Sequence, residues 1–551
     1  MMQYYDLGPY SRSITTPSDE AQAWFDRGLN WCYGYHHEEA ISCWKRAIEQ
    51  DPDCAMAQWG LAYATGPNYN MPWHLYDPKG RAKALASCFD AAQSALARID
   101  AVTEVERDLI EALRARYPQR EPIDDMWQWN VDYADAMRKV YEKHPGDLDC
   151  RAIFVEAIMN CTPWQMWDLS TGEPAERAGT LEAMGVLEDA FDTLPAAWDH
   201  PGLLHLHVHL MEMSPFPHRA LRTGDRLREI APDMGHLVHM PTHIDVLCGN
   251  YRDVLLWNQK AIAADNLALE RNGAMNFYTL YRVHNYHFAI YGAMFLGQFG
   301  PALAAAQGLI DTVPEDLLRV TSPPMADFLE GYLSMKQHVL IRFGKWQAII
   351  DQALPGDSEL YTVCTTMTHY AKTVAHAALG DIEAAQAALL RFRTARETVS
   401  EQRRVHNNIC QDLFDIAEAM ATGEIEYRKG NFDVAFAHLR KSVQLDDELP
   451  YDEPWGWMQP TRHALGALLL EQGRVDEAES VYRADLGLDG QLSRACQHPD
   501  NPWSLHGLHE CLVRRGNTAE AALVAQRLEL AGARADVPIT ASCFCRMAGA
   551  A

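Results

Sequence analysis

The sequence predicts an all-α chain, a solenoid of stacked helical hairpins. Three observations lead there. A segment near the N-terminus carries large, small and proline residues at fixed spacing, a glycine-centred turn recurs down the chain, and no alternating apolar–polar run is long enough to require a sheet. At 551 residues the chain outgrows a single globular core, whereas the core of a repeat array lengthens with the chain.

The fixed spacing is clearest from Ala21 to Cys54. Trp24, Gly28, Ala40, Trp44, Ala47 and Pro52 fall at the fourth, eighth, twentieth, twenty-fourth, twenty-seventh and thirty-second places. Large residues there fill the gap between two antiparallel helices, small ones let the helices approach, and proline ends the second helix. The recurring turn is a glycine, an aromatic or apolar residue two places on, and alanine in the next helix. It reads Gly249-Asn-Tyr251, Gly297-Gln-Phe299, Gly344-Lys-Trp346, Gly380-Asp-Ile382, Gly430-Asn-Phe432, Gly473-Arg-Val475 and Gly516-Asn-Thr518. Pro52, Pro145 and Pro232 close second helices.

This pattern resembles the tetratricopeptide repeat of about 34 residues. The resemblance spans most of the chain, most fully at 21–54 and 200–530 and least at 75–150. It implies a right-handed superhelix of about a dozen hairpins that can close around a central cavity. It also implies that places two, five, nine and twelve of each first helix line a concave groove. The chain then divides into an N-terminal segment 1–20, repeats with irregular loops 21–199, histidine-rich repeats 200–313, further repeats 314–535 and a tail 536–551. The irregular stretches GPNYNMPWHLYDP (66–78), CTPWQMWD (161–168) and LPYDEPWGWMQP (449–460) suit either functional loops or plugs at a superhelix end.

Composition narrows the function. A formal charge of −27 argues against nucleic acid or an anionic membrane as the partner, since both need a basic face. The N-terminus carries no signal-like stretch and no apolar run reaches membrane-spanning length, so a cytoplasmic location is expected. Thirteen cysteines without regular spacing suit reduced, buried thiols, and none is arranged as Cys-x-x-Cys. Cys543 and Cys545 form the only close pair, in a bland tail.

The chemistry concentrates in the middle. Ten of the 23 histidines lie between His200 and His287. In the repeat register, PGLLHLHVHLME puts His205, His209 and Glu212 at places five, nine and twelve, while GHLVHMPTHIDV puts His236, His239 and His243 at two, five and nine. VHNYHFAIY puts His284 and His287 at two and five, with Tyr291 at nine. The resemblance implies that all seven imidazoles and the carboxylate look into one groove, and helix geometry agrees in that residues three or four apart on one helix share a face. His207 should point into the core, and His36 and His37 should merely pack at their turn. Pro241 should kink its helix and re-aim His243.

Imidazoles paired at this spacing suit a transition metal. Three arrangements are open: a dinuclear site, one ion with spare histidines as acid, base or orienting groups, and a storage cluster. Storage is least favoured because Cys248 is the only nearby thiol. Glu212 is the expected extra ligand or general base, with Asp245, Tyr291 and Tyr286 as orienting candidates. Glu156, Tyr291, His463, Trp503, His506 and Glu510 are expected at the substrate wall, and His338 faces the groove. No GxGxxG, P-loop, GxSxG or HExxH motif is present.

The runs HLHVHLMEMSP, GHLVHMPTHI, HNYHF, GPNYN and YDEPWGW further resemble a large bacterial group of tetratricopeptide proteins. That likeness implies one functional unit and carries no reaction with it. The expectation is a metal-dependent enzyme for a small molecule, using copper or iron, or zinc, with oxidoreductase chemistry ahead of hydrolysis. The alternative is a non-catalytic scaffold that binds a protein or peptide in its groove.

Overall fold

The computed structural model describes residues 4–549. They form an all-α chain of antiparallel helical hairpins, with a single two-stranded ribbon, Arg404–Val405 against Asn408–Ile409, among the described residues. Among the described residues no helix is long and apolar enough to cross a membrane.

The first hairpin shows why the spacing matters. Ser18 caps the helix Asp19–Tyr33 by accepting from the Ala21 amide, and the chain returns as His37–Gln50. Trp44 is fully buried. A Cβ on Gly28 would lie 2.6 Å from its indole nitrogen, and one on Gly60, in the helix Ala55–Thr65, 2.5 Å from its ring. Glycine at both points is what lets three helices close on one indole. The same device recurs near the C-terminal end, where Gly466 and Gly507 make room for Tyr482 among Leu465, Leu468, Leu505 and Leu508.

All seven turn glycines take the left-handed conformation, with φ between 61° at Gly344 and 82° at Gly380. In the first hairpin the corresponding residue is Tyr35, at φ 56°. The helix expected around Pro241 is broken into Gly235–His239 and Pro241–Leu247, as a residue lacking an amide hydrogen dictates.

The chain forms two compact units. One comprises residues up to Ile244 with Lys260–Asn272; the other comprises Asp245–Gln259 with the chain from Gly273 onward. In the first, Leu148–Met159 and Pro201–Glu212 are buried on every face, so their polar side chains lie inside the protein. In the second, Thr279–Phe295 is nearly as enclosed. Eleven cysteines are free thiols and Cys543 is bonded to Cys545.

Candidate metal centre

In the first unit, His200 caps the helix Pro201–Glu212 by accepting from the Leu203 amide. The helix then presents His205, His207, His209 and Glu212. His207 pairs through Nδ1 with the Thr223 hydroxyl at 2.8 Å, a core contact. His205 Nδ1 lies 2.7 Å from the carbonyl of Tyr33, the last residue of its helix. A carbonyl only accepts, so Nδ1 carries the proton and Nε2 is left with a lone pair. That Nε2 is buried and has no hydrogen-bond partner. Burial, then the neighbouring His209, hold the ring's pKa well below the ordinary value, so it is neutral at physiological pH.

Glu212 organises two further rings. Its Oε1 lies 2.9 Å from His209 Nδ1 and its Oε2 lies 2.6 Å from His243 Nδ1, with the side chain wholly buried. An ionised carboxylate accepts from both, and each of these rings then carries its lone pair on Nε2. The Nε2 atoms of His239 and His243 are 2.8 Å apart. His205, His209 and His236 each offer a ligand atom within 4.8 Å of the others. A carboxylate or carbonyl fixing Nδ1–H, with Nε2 turned inward, is how protein-bound metals are commonly ligated.

One residue at this site had no part in the sequence expectations. The Tyr35 ring lies 4.5 Å from His205 and stacks on His209 and His236 at 5.7 and 5.5 Å between centroids. Left-handed backbone costs a residue with a Cβ about 1–2 kcal/mol, and the ring's place among three imidazoles accounts for its being held there. The available signal was a tyrosine standing where seven other hairpins have glycine. The GPNYN loop also reaches the site. Tyr69 packs on His209 at 4.9 Å, and Asn68 Nδ2 lies 2.9 Å from His37 Nδ1. His36 packs edge-on against Trp31 and caps its helix. Glu156 lies in the same unit, hydrogen-bonded by the Tyr63 hydroxyl, and burial raises its carboxyl pKa.

The second unit holds the other expected residues. His284 Nε2 is 3.8 Å from Glu453 Oε2, and its ring packs on His406, itself bonded to Asp452. His287 Nε2 is 2.8 Å from Met458 Sδ; burial, with His406 and His338 adding to it, lowers its pKa to about 3. Glu453 and Met458 belong to the LPYDEPWGWMQP stretch, for which no individual roles were assigned from sequence. Tyr291 meets His498 Nε2 at 2.9 Å. His463 lies between Asp485, 3.0 Å from Nε2, and Arg342, which donates to Nδ1 at 3.0 Å. Trp503 donates to the Met294 carbonyl and lies under Arg342. His506 is half-buried, and Glu510 is gripped by Arg546 at 2.6 and 2.8 Å. Asp245 is buried, and Tyr286 fills the space over Gly308.

No protein-family model matches the chain, and no curated protein does. Among solved structures the chain is similar to IFIT1 with m7Gppp-AAAA, at 12% identity over 94% of this chain and 96% of that one, TM-score 0.34. It is also similar to the APC/C hetero-tetramer Cut9–Hcn1, at 12% identity over 94% of each chain, TM-score 0.29. A third is yeast Tom70, at 13% identity over 92% of this chain and 96% of that one, TM-score 0.27. Likenesses this distant carry nothing about the site's chemistry.

Proposed function

We propose that the protein is a metalloenzyme whose transition-metal ion is held in the first unit by His205, His209 and His236. His239 and His243 form an adjoining pair of ligands, and Glu212 orients His209 and His243 instead of acting as ligand or base. The observation that carries this reading is His205: Nδ1–H is committed to a carbonyl, while Nε2 is a buried acceptor with no partner. Leaving such an atom unmet costs about 1–3 kcal/mol, a cost that an ion at that nitrogen would offset.

An all-imidazole donor set suits copper or iron, and zinc as a further choice. Such an ion supplies Lewis-acid or one-electron chemistry when bound. We place oxidoreductase chemistry on a small molecule ahead of hydrolysis. The five imidazoles are at most 2% exposed, which favours this over a scaffold whose groove must meet an extended peptide.

Electron paramagnetic resonance of the full chain loaded with cupric ion tests the reading. Hyperfine splitting from several imidazole nitrogens is expected. A protein with His205→Ala and His209→Ala should lose that signal while keeping its helical circular dichroism. An unchanged spectrum in the double variant would remove the proposed site.

A further inference from the structure

Beside the imidazole cluster, and within the same unit, lies an arginine in an unusual state. Arg116 ends the helix Glu104–Arg116 and is 2% exposed. Its Nη2 donates to the Pro67 carbonyl at 2.5 Å, and its guanidinium lies 4.4 Å from the Tyr63 ring, 4.8 Å from Tyr133 and 5.6 Å from Tyr117. Its Nη1 is buried without a close hydrogen-bond partner, and the buried hydroxyl of Tyr133 has none besides Arg116 itself, whose guanidinium faces it. Among the described residues no carboxylate is in ion-pair contact with it. Buried charges are ordinarily paired, and aromatic faces compensate only part of the cost.

We infer that Arg116 and Tyr133 form the recognition site for a small carboxylate, with Nη1 and the hydroxyl donating to its two oxygens. The ligand brings an anion in direct contact with Arg116 and acceptors for both donors. A monoanion fits better than a phosphate dianion, because the carboxyl group of Glu156 is among the groups acting on both Arg116 and Tyr133. The buried Oδ1 of Asn160, also without a partner, can accept from a hydroxyl or amino group next to that carboxylate.

The Arg116–Tyr133 site adjoins the imidazoles through one loop. Pro67 accepts from Arg116, Asn68 bonds to His37, and Tyr69 packs on His209, three consecutive residues joining anion site to metal site. Its meaning as a substrate-binding site rests on the metal-centre reading; the anion site itself does not.

Thermal denaturation of the full chain, with propionate against propionamide at constant ionic strength and inorganic phosphate as a third arm, tests the site. Propionate should stabilise and propionamide should not. Arg116→Gln should weaken the propionate response about tenfold or more, and Tyr133→Phe, which removes one hydroxyl and is the safer variant for folding, by about three- to tenfold. The metal-free His205→Ala, His209→Ala protein should keep the response, so that loss of the metal reading leaves this one standing. Equal effects of propionate and propionamide, a stronger response to phosphate, or full propionate response in Tyr133→Phe would each overturn the proposal.

Discussion

Two histidine networks, one in each unit, use a shared carboxylate in different ways. In the second, His463 and His498 share the carboxylate of Asp485, which also accepts from Asn501 and Ser504. The remaining nitrogens are used as well: Arg342 donates to His463 Nδ1, and the Tyr291 hydroxyl meets His498 Nε2. Against the upward push of burial, the two histidines hold the Asp485 carboxyl pKa well below the ordinary range. In the first unit Glu212 also serves two imidazoles, yet it and the Tyr33 carbonyl fix only the Nδ1 side, and His205 Nε2 is left a bare acceptor. Burial and a shared carboxylate are common to both. What separates these two networks is whether the second nitrogen meets a guanidinium or hydroxyl of the protein or is gathered with other imidazoles within ligand distance.

The largest effect expected from this contrast follows Asp485→Ala. Two imidazole N–H groups and the donors of Asn501 and Ser504 lose their acceptor, at a cost of about 3–5 kcal/mol in chemical denaturation. Metal content per folded protein should not change. Loss of metal in this variant would erase the distinction between the two networks.

Acid sharpens the comparison from another side. Burial lowers the His338 pKa to about 3, so the ring is neutral in the folded chain, while the unfolded chain protonates it near 6.5. Its contribution to stability is present above pH 6.5 and is lost as pH falls from there toward 3, by at most about 1.4 kcal/mol per pH unit. The stability difference between the native sequence and His338→Gln should therefore shrink when denaturation is repeated from pH 7.5 down to 5. A difference independent of pH would mean that the ring takes up its proton equally in the folded and unfolded chain.

The smallest effect concerns the turns. Gly430 has φ 81° and open space around the position of a Cβ, so Gly430→Ala should cost about 1–2 kcal/mol by backbone strain alone. Metal binding should stay intact, which a denaturation curve and a metal assay on the same sample would check.

The hairpins were legible because their determinants are local. Gly28 beneath Trp44 and the seven turn glycines each encode a requirement met within one repeat. The imidazoles of Pro201–Glu212 were legible for the same reason, through helical periodicity. Three features were not. Tyr35 reaches the imidazoles because its turn takes a left-handed conformation, and nothing in the periodicity says where its ring goes. Glu212 reads as a groove carboxylate, and its commitment to two Nδ1 atoms depends on the break at Pro241 that sets His243. Arg116 is 40 residues upstream of Glu156 and in a different helix, so only packing brings its charge beside Tyr63 and Tyr133.

Elemental analysis of the full chain, purified without a histidine tag or chelator beside the His205→Ala, His209→Ala protein, tests the central claim most directly. Near-stoichiometric copper or iron, or zinc, in the native sequence and its loss in the folded double variant is the predicted result. A native protein that neither retains nor takes up any of these metals, or a double variant that holds as much, would contradict it.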